Sequence, residues 1–384
     1  MTRVRAVELR LVALPLVRPF RTSFGEERQK ECILVRVETD RGQGWGECVA
    51  GPRPDFSGEF NEAAWLALRD HLVPALLAAD DPRPEDVRSL GGVRGNRMAK
   101  AALEMALLDA ELRAEGRSLA SFLGATKDRV PCGVSVGIAG SLEELVEQVA
   151  GYVAEGYVRV KLKIEPGLDV ERVRAVRESF PDVPLSVDAN AAYTLADLAV
   201  FQALDELGLL MIEQPLSHED LVDHAELQRR LATPICLDES IRSAADARAA
   251  IALGACRLVN VKQGRVGGLL EAVRIHDVCR AHGLPVWCGG MLETGIGRAA
   301  NLALAALPGF TLPGDTSASG RYFAEDLTEP FVLGPGGTMA VPSGPGLGVE
   351  PRPGRLAAYP RRGERVSRGG AGSGERVTRI ALRP

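Results

Sequence analysis

From about residue 130 the chain alternates short apolar runs with longer segments whose apolar positions recur every three to four residues. The apolar runs begin near Val130, Val158, Pro184, Leu209, Pro234, Cys256, Pro285 and Thr311. Helical patterns fall between them at 142–155, 170–179, 221–231, 244–253 and 269–281. The repeat is roughly 22 to 29 residues, one βα unit, and there are about eight units. Eight such units point to a closed parallel barrel rather than an open doubly wound sheet, although periodicity alone does not establish closure. Upstream, residues 1–127 read as an α+β domain. Strands are predicted at 4–14, 31–39 and 44–49, with a hairpin at Asp40-Arg41-Gly42 and helices at 62–72 and 98–115. Gly116 is placed to end the second helix. The barrel is expected over 128–325, followed by a Pro/Gly-rich return segment at 326–354 that packs on the first domain. Residues 355–384 are basic, rich in Gly and Ser and poor in apolar side chains, so disorder is expected there.

Composition narrows the function classes. The net charge of -5 offers no broad basic surface for nucleic acid. No apolar run reaches the ~18 residues of a membrane helix, and the N-terminus lacks a secretory pattern, so a cytoplasmic protein is expected. Seven scattered cysteines without a Cys-x-x-Cys pair read as small buried hydrophobes. Neither a Gly-x-Gly-x-x-Gly turn after the first strand nor a P-loop is present, which removes the main support for nucleotide folds.

Candidate chemistry lies at the predicted strand ends, where barrel enzymes carry their functional side chains. Lys163, Asp188, Glu213, Asp238 and Lys262 follow one another at intervals of 25, 25, 25 and 24 residues. That regularity predicts equivalent depth around the barrel. Alone, each has an ordinary reading: an Asp there caps a helix and a Lys is solvated. Jointly they make three converging carboxylates flanked by two lysines. Unpaired carboxylates would raise one another's pKa, and a hard divalent cation removes that conflict. A substrate carboxylate at the cation would place its α-carbon between the lysines, one of which would take the α-proton while the other returned one. Lys161 shares a face with Lys163, and its charge would make Lys163 a better base. Asn190 shares a face with Asp188, whereas Glu239 is expected to point away from Asp238. His218-Glu219 with His224 fails the zinc-protease spacing, because position 222 is Val222.

With these residues the sequence resembles the enolase superfamily, and within it the muconate-lactonizing-enzyme-like subgroup. That match rests on Lys161-x-Lys163, the Asp188/Glu213/Asp238 set and Lys262, with no His in the seventh run, PVWCGGM. It is most similar to the N-acylamino acid racemase/o-succinylbenzoate synthase group at residues 19–25, 133–137, 262–268 and 289–295. The resemblance implies a (β/α)7β barrel under an α+β cap completed by the C-terminal segment. It implies Mg2+, or Mn2+ or Co2+, held by Asp188, Glu213 and Asp238, and a small carboxylate substrate. It further implies menaquinone-pathway dehydration with racemisation; a homo-oligomer, with no nucleic-acid or membrane partner, is expected. Phe20, Phe24, Ser135, Met291 and Leu292 would line the pocket, with Lys161 and Asn190 toward the substrate. Arg265 looks like an arginine of racemase-capable members. Dipeptide epimerase, lactone-forming cycloisomerase and a non-catalytic metal-binding barrel are the alternatives. The epimerase would need an Asp-x-Asp pair that is incomplete in Pro313-Gly314-Asp315-Thr316-Ser317.

Overall fold

Three antiparallel strands open the computed structural model, which describes residues 2–368 and 376–380: β1 (Val4–Thr22), β2 (Gly25–Thr39) and β3 (Gln43–Cys48). The expected hairpin joins β2 to β3, with Thr39 N–H donating to Gly42 O at 2.8 Å. Alternate residues of β2 serve two cores. Ile33, Val35 and Val37 pack with the helix Arg97–Glu115, whereas Cys32 and Leu34 join the larger core that runs on into the barrel. Gly44 and Gly46 let that helix lie close on the sheet, since a Cβ at either would strike its backbone near Ala102 or Ala106. The helix ends at Gly116, with φ +66°, as the sequence predicts. The single helix expected at 62–72 is instead Asn61–Ala67, a π-turn at Leu68–Leu72 and a further helix Val73–Ala78. The wide turn sits just before Pro74, which has no N–H for a regular ladder.

After β4 (Arg129–Pro131) come seven parallel strands in sequence order. They are β5 (Val134–Val136), β6 (Val160–Lys163), β7 (Leu185–Asp188), β8 (Ile212–Glu213), β9 (Ile235–Leu237), β10 (Leu258–Val261) and β11 (Val286–Cys288). The eighth run forms no regular strand. It closes the ring through isolated parallel bridges, Phe310 to Val286 on one side and Gly314 to Cys132 on the other. Gly133 N–H donates to Gly314 O at 2.7 Å and Asp315 N–H to Cys288 O at 2.9 Å. Pro313, lacking an N–H, interrupts any continuous ladder here. The architecture is therefore the modified (β/α)7β barrel with an α+β cap. All seven cysteines are buried and unpaired. Among the described residues no helix is long and apolar enough to cross a membrane.

The return segment adds β12 (Thr338–Ala340) beside β4 and then reaches the cap, where Leu347 N–H donates to Asp109 Oδ1 at 2.7 Å. Disorder from residue 355 onward is not what the described residues do. A helix covers Pro353–Ala358, β13 (Pro360–Ser367) pairs antiparallel with β1, and β14 (Arg376–Arg379) adds to its edge. Val366 is fully buried and Arg365 pairs with Glu38 of β2 at 2.6 Å, so the neighbouring strands supply what the segment's own composition lacks. Residues 369–375 and 381–384 of that expectation lie outside the described residues.

Two cap carboxylates fix the cap to barrel helices. Glu47 accepts from Thr294 N at 3.0 Å and Gly297 N at 2.9 Å, at the start of helix Gly295–Ala305. Glu104 accepts from Leu270 N at 3.1 Å, at the start of Leu269–Ala281. Burial pushes the Glu104 carboxyl up to about 8. Its folded value thus exceeds its unfolded one, so charging it costs folding free energy as pH rises from about 5 to 8. Glu104→Gln should gain stability relative to the parent over that range, by roughly 2–4 kcal/mol in denaturant titrations. A pH-independent difference would contradict this.

Candidate active site

The strand ends place the five spaced residues inside the barrel mouth, in a register that shifts along the later strands. Lys163, Asp188 and Glu213 are level, each paired directly with the next across β6, β7 and β8. Glu213 pairs with Cys236, which leaves Asp238 two residues further along its strand. Cys236 in turn pairs with Leu258, so Lys262 lies four residues beyond the residue in register with Glu213. A shift of four residues over the four steps from β6 to β10 is the stagger that strand tilt in a closed barrel imposes on residues at one height, in keeping with the even spacing. Lys262 lies within electrostatic reach of both Asp188 and Glu213.

Asp188, Glu213 and Asp238 are fully buried, and each faces a lysine. Lys163 Nζ donates to Asp188 Oδ2 at 2.6 Å and to Asn190 Oδ1 at 2.5 Å. Lys262 Nζ donates to Asp238 Oδ2 at 2.7 Å and lies 4.9 Å from the Phe56 ring centroid. Lys161 reaches Glu213 Oε2 at 2.8 Å, Asp315 Oδ2 at 2.7 Å and Asp188 Oδ2 at 3.2 Å, over the Trp287 ring. Lys161 and Lys163 thus share one oxygen of Asp188, as two side chains on one strand face should. Burial works against the Lys161 charge, but the surrounding Asp315, Glu213 and Asp188 hold its ammonium well above the usual lysine range. Burial also opposes ionisation of Asp188; Lys163, Lys161 and Lys262 outweigh it and keep that carboxyl well below the ordinary range. Burial, reinforced by the Asp188 charge, pushes Glu213 up.

β6 and β10 lie on opposite sides of the ring. Three strands separate them through β7, β8 and β9, and the other way round come β11, the 310–314 segment and β5. Lys163 and Lys262 therefore approach the mouth from opposite walls.

The surrounding frame was only partly legible. Glu239 stands behind the site: its Oε1 accepts from Asn190 Nδ2 at 2.9 Å, and Asn190 in turn holds Lys163. Arg265, expected near substrate, lies beneath the cleft. It contacts Asp238 Oδ1 and donates to Asn260 O at 2.7 Å and Ile241 O at 3.0 Å. Burial pulls its guanidinium down to about 9. Asn260 was missed, although it sits two residues before Lys262 on the same strand face; its Nδ2 donates to Glu213 Oε1 at 2.6 Å. Asp315 and Arg159 form a buried pair at 2.5 Å below Lys161. Gln214 ties the end of β9 in place, accepting from Asp238 N and Ser240 N at 3.0 and 3.2 Å. Asn190, Gln214 and Leu292 hold positive φ of 44°, 37° and 56°, a strain concentrated at the site's strand ends.

Above the lysines opens a cleft of about 780 Å3, counting space open to solvent. The expected Phe20, Phe24, Ser135, Lys161, Lys163, Asn190, Lys262, Met291 and Leu292 all line it, as do Lys30, Arg53, Phe56 and Tyr322. Phe20 packs edge-on against Tyr322 and Phe24 lies tilted against Phe56, with ring centroids 6.4 and 6.2 Å apart. Ser135 Oγ is buried without a hydrogen-bond partner among the described residues.

Among the described residues no three acidic, histidine or cysteine side chains meet closely enough to enclose a metal ion, because each acid is drawn to a lysine. The donors nonetheless suit a hard cation. They are oxygens only, and the neighbouring Glu239 Oε2 and Asn260 Oδ1 are buried without hydrogen-bond partners among the described residues.

Residues 5–124 match the model of the mandelate racemase/muconate lactonizing enzyme N-terminal domain, and residues 144–355 match that of the enolase C-terminal domain-like family. The chain is 62% identical over 353 residues to an N-succinylamino acid racemase of Amycolatopsis sp, covering 91% of this chain and 96% of the relative. It is 52% identical over 349 residues to an o-succinylbenzoate synthase of Geobacillus stearothermophilus, covering 90% and 93%. A crystal structure of an enolase-superfamily member from Listeria innocua superposes with a TM-score of 0.91 at 43% identity, covering 96% of this chain and 100% of the other.

Proposed function

The chain belongs to the mandelate racemase/muconate lactonizing enzyme family of the enolase superfamily, and from that premise we propose that it is an o-succinylbenzoate synthase with N-acylamino acid racemase activity. Both reactions begin with loss of the proton next to a substrate carboxylate. The observation that carries the reading is the placement of Lys163 and Lys262 on opposite walls of one cleft. In the synthase reaction Lys163 takes the α-proton of 2-succinyl-6-hydroxy-2,4-cyclohexadiene-1-carboxylate and hands a proton to the departing hydroxyl, which leaves as water. Lys262 stays an ammonium and offsets the charge that builds on the substrate. In racemisation one lysine removes the proton from one face and the other delivers a proton to the opposite face, so their roles exchange with the enantiomer. Asn190, held by Glu239, orients the Lys163 ammonium; Arg265 and Gln214 hold Asp238. Asp188, Glu213 and Asp238 would hold a divalent cation, Mg2+ or else Mn2+ or Co2+, which supplies Lewis-acid stabilisation of the carboxylate. Asp315 is already engaged by Lys161 and Arg159, which argues against its receiving a dipeptide ammonium group.

A substrate panel tests this. The cyclohexadiene carboxylate and N-succinyl-amino acids should turn over with Mg2+, and dipeptides should not. Chelation with EDTA should lower kcat by at least ~100-fold, restored by Mg2+. Turnover of dipeptides alone, or turnover indifferent to chelation, would overturn the reading.

A further inference from the structure

Every ammonium on the barrel side of the cleft has a carboxylate partner: Lys161, Lys163 and Lys262 are all ion-paired. Lys30 differs. It projects from β2 of the cap on the same strand face as Cys32 and Leu34, and it lines the same cleft. It is 3% exposed, yet its one polar partner among the described residues is the Val49 carbonyl, at 3.3 Å. Glu27 and Glu59 share the cleft wall, but among the described residues neither forms an ion pair with Lys30. A buried cation without an ion-pair partner is costly, and a single long bond to a carbonyl compensates little of that cost. Where such a cation faces a cavity, an anion entering the cavity completes its shell. Nearby Arg53 is not equivalent, since it is largely exposed and pairs with Asp55 at 3.1 Å.

We infer that Lys30 is a specificity residue that receives a second, distal carboxylate of the substrate, while the reacting carboxylate sits over the barrel lysines. This rests on the proposed activity and sharpens it: the preferred substrates are dianions, and the succinyl end is read by the cap. The bland reading is that Lys30 only ties the Val49 carbonyl and steadies the 49–56 loop. A structural tie of that kind would not distinguish one acyl group from another.

The test compares N-succinyl- and N-acetyl-phenylalanine, which differ by the distal carboxylate, with the Mg2+-supplied enzyme and its Lys30→Met variant. The ratio of kcat/KM for succinyl over acetyl substrate should fall by about 30-fold, mainly through KM. A ratio within ~2-fold of the parent would overturn the inference. Lys30→Gln should shift the ratio in the same direction and carries the comparison if Lys30→Met does not fold. Calorimetric binding of o-succinylbenzoate gives a readout independent of turnover and should weaken by at least ~10-fold in either variant. Unchanged binding would refute the Lys30 subsite. Lys30-dependent binding in a parent enzyme that turns over neither substrate would uphold the subsite and sink the activity instead.

Discussion

Lys163→Ala is expected to lower kcat for both dehydration and racemisation by ~1,000-fold or more, with the fold intact. General base catalysis contributes roughly 100- to 10,000-fold, and the proposed function makes this residue the base for one face of the substrate. Its Nζ contacts Asp188 and Asn190 and lines the cleft, so it is placed to touch the reacting atom. The fold should tolerate the loss, because Asp188 keeps Lys161 at 3.2 Å on the same oxygen and accepts Asn190 N at 3.0 Å on the other. Absorbance assays of dehydration, polarimetry of racemisation and a circular-dichroism melt together decide the matter. Retained turnover with a native melt would remove Lys163 from the mechanism.

The second large effect is stereochemical. Lys262→Ala should abolish α-proton exchange for one enantiomer of an N-succinyl-amino acid and preserve it for the other, because the surviving lysine reaches a single face. Proton NMR in deuterated water reads the two enantiomers separately, and the expected difference in exchange rate is at least ~100-fold. Asp238 keeps Arg265 after the substitution, so its charge is not left bare. Equal exchange of both enantiomers would contradict a face-specific role. Equal loss would point instead to a site disturbed around Asp238.

How far the sequence carried these expectations follows from what a linear pattern encodes. Spacing by one βα unit found the five strand-end residues because every unit contributes one inward side chain at its C-terminal edge. The same spacing could not reveal the register shift at Asp238 and Lys262, since stagger is a property of neighbouring strands. Asn260 was within reach of the rule that residues two apart share a face, since it stands two residues before Lys262. Asp315 was seen only as half of an absent pair, and its actual partners, Lys161 and Arg159, lie more than 150 residues away in sequence. The terminal segment was misread for a related reason. Residues 360–367 bury little by themselves and become a strand because β1 offers an open edge, which composition does not record.

The cleft's two linings come from different stretches of chain. Lys161, Lys163 and Lys262 come from the barrel, whereas Phe20, Phe24, Lys30 and Phe56 arrive from the cap. Glu47 and Glu104 seat that cap on two barrel helices and do not themselves line the cleft. Selection can therefore rewrite the tenant without touching the machinery: substitutions at positions 20–30 and 49–56 are expected to alter which acid is admitted while the lysines and carboxylates beneath keep their registration. A lineage built this way is predisposed to promiscuity, and a racemase and a synthase can be neighbouring tunings of one chassis.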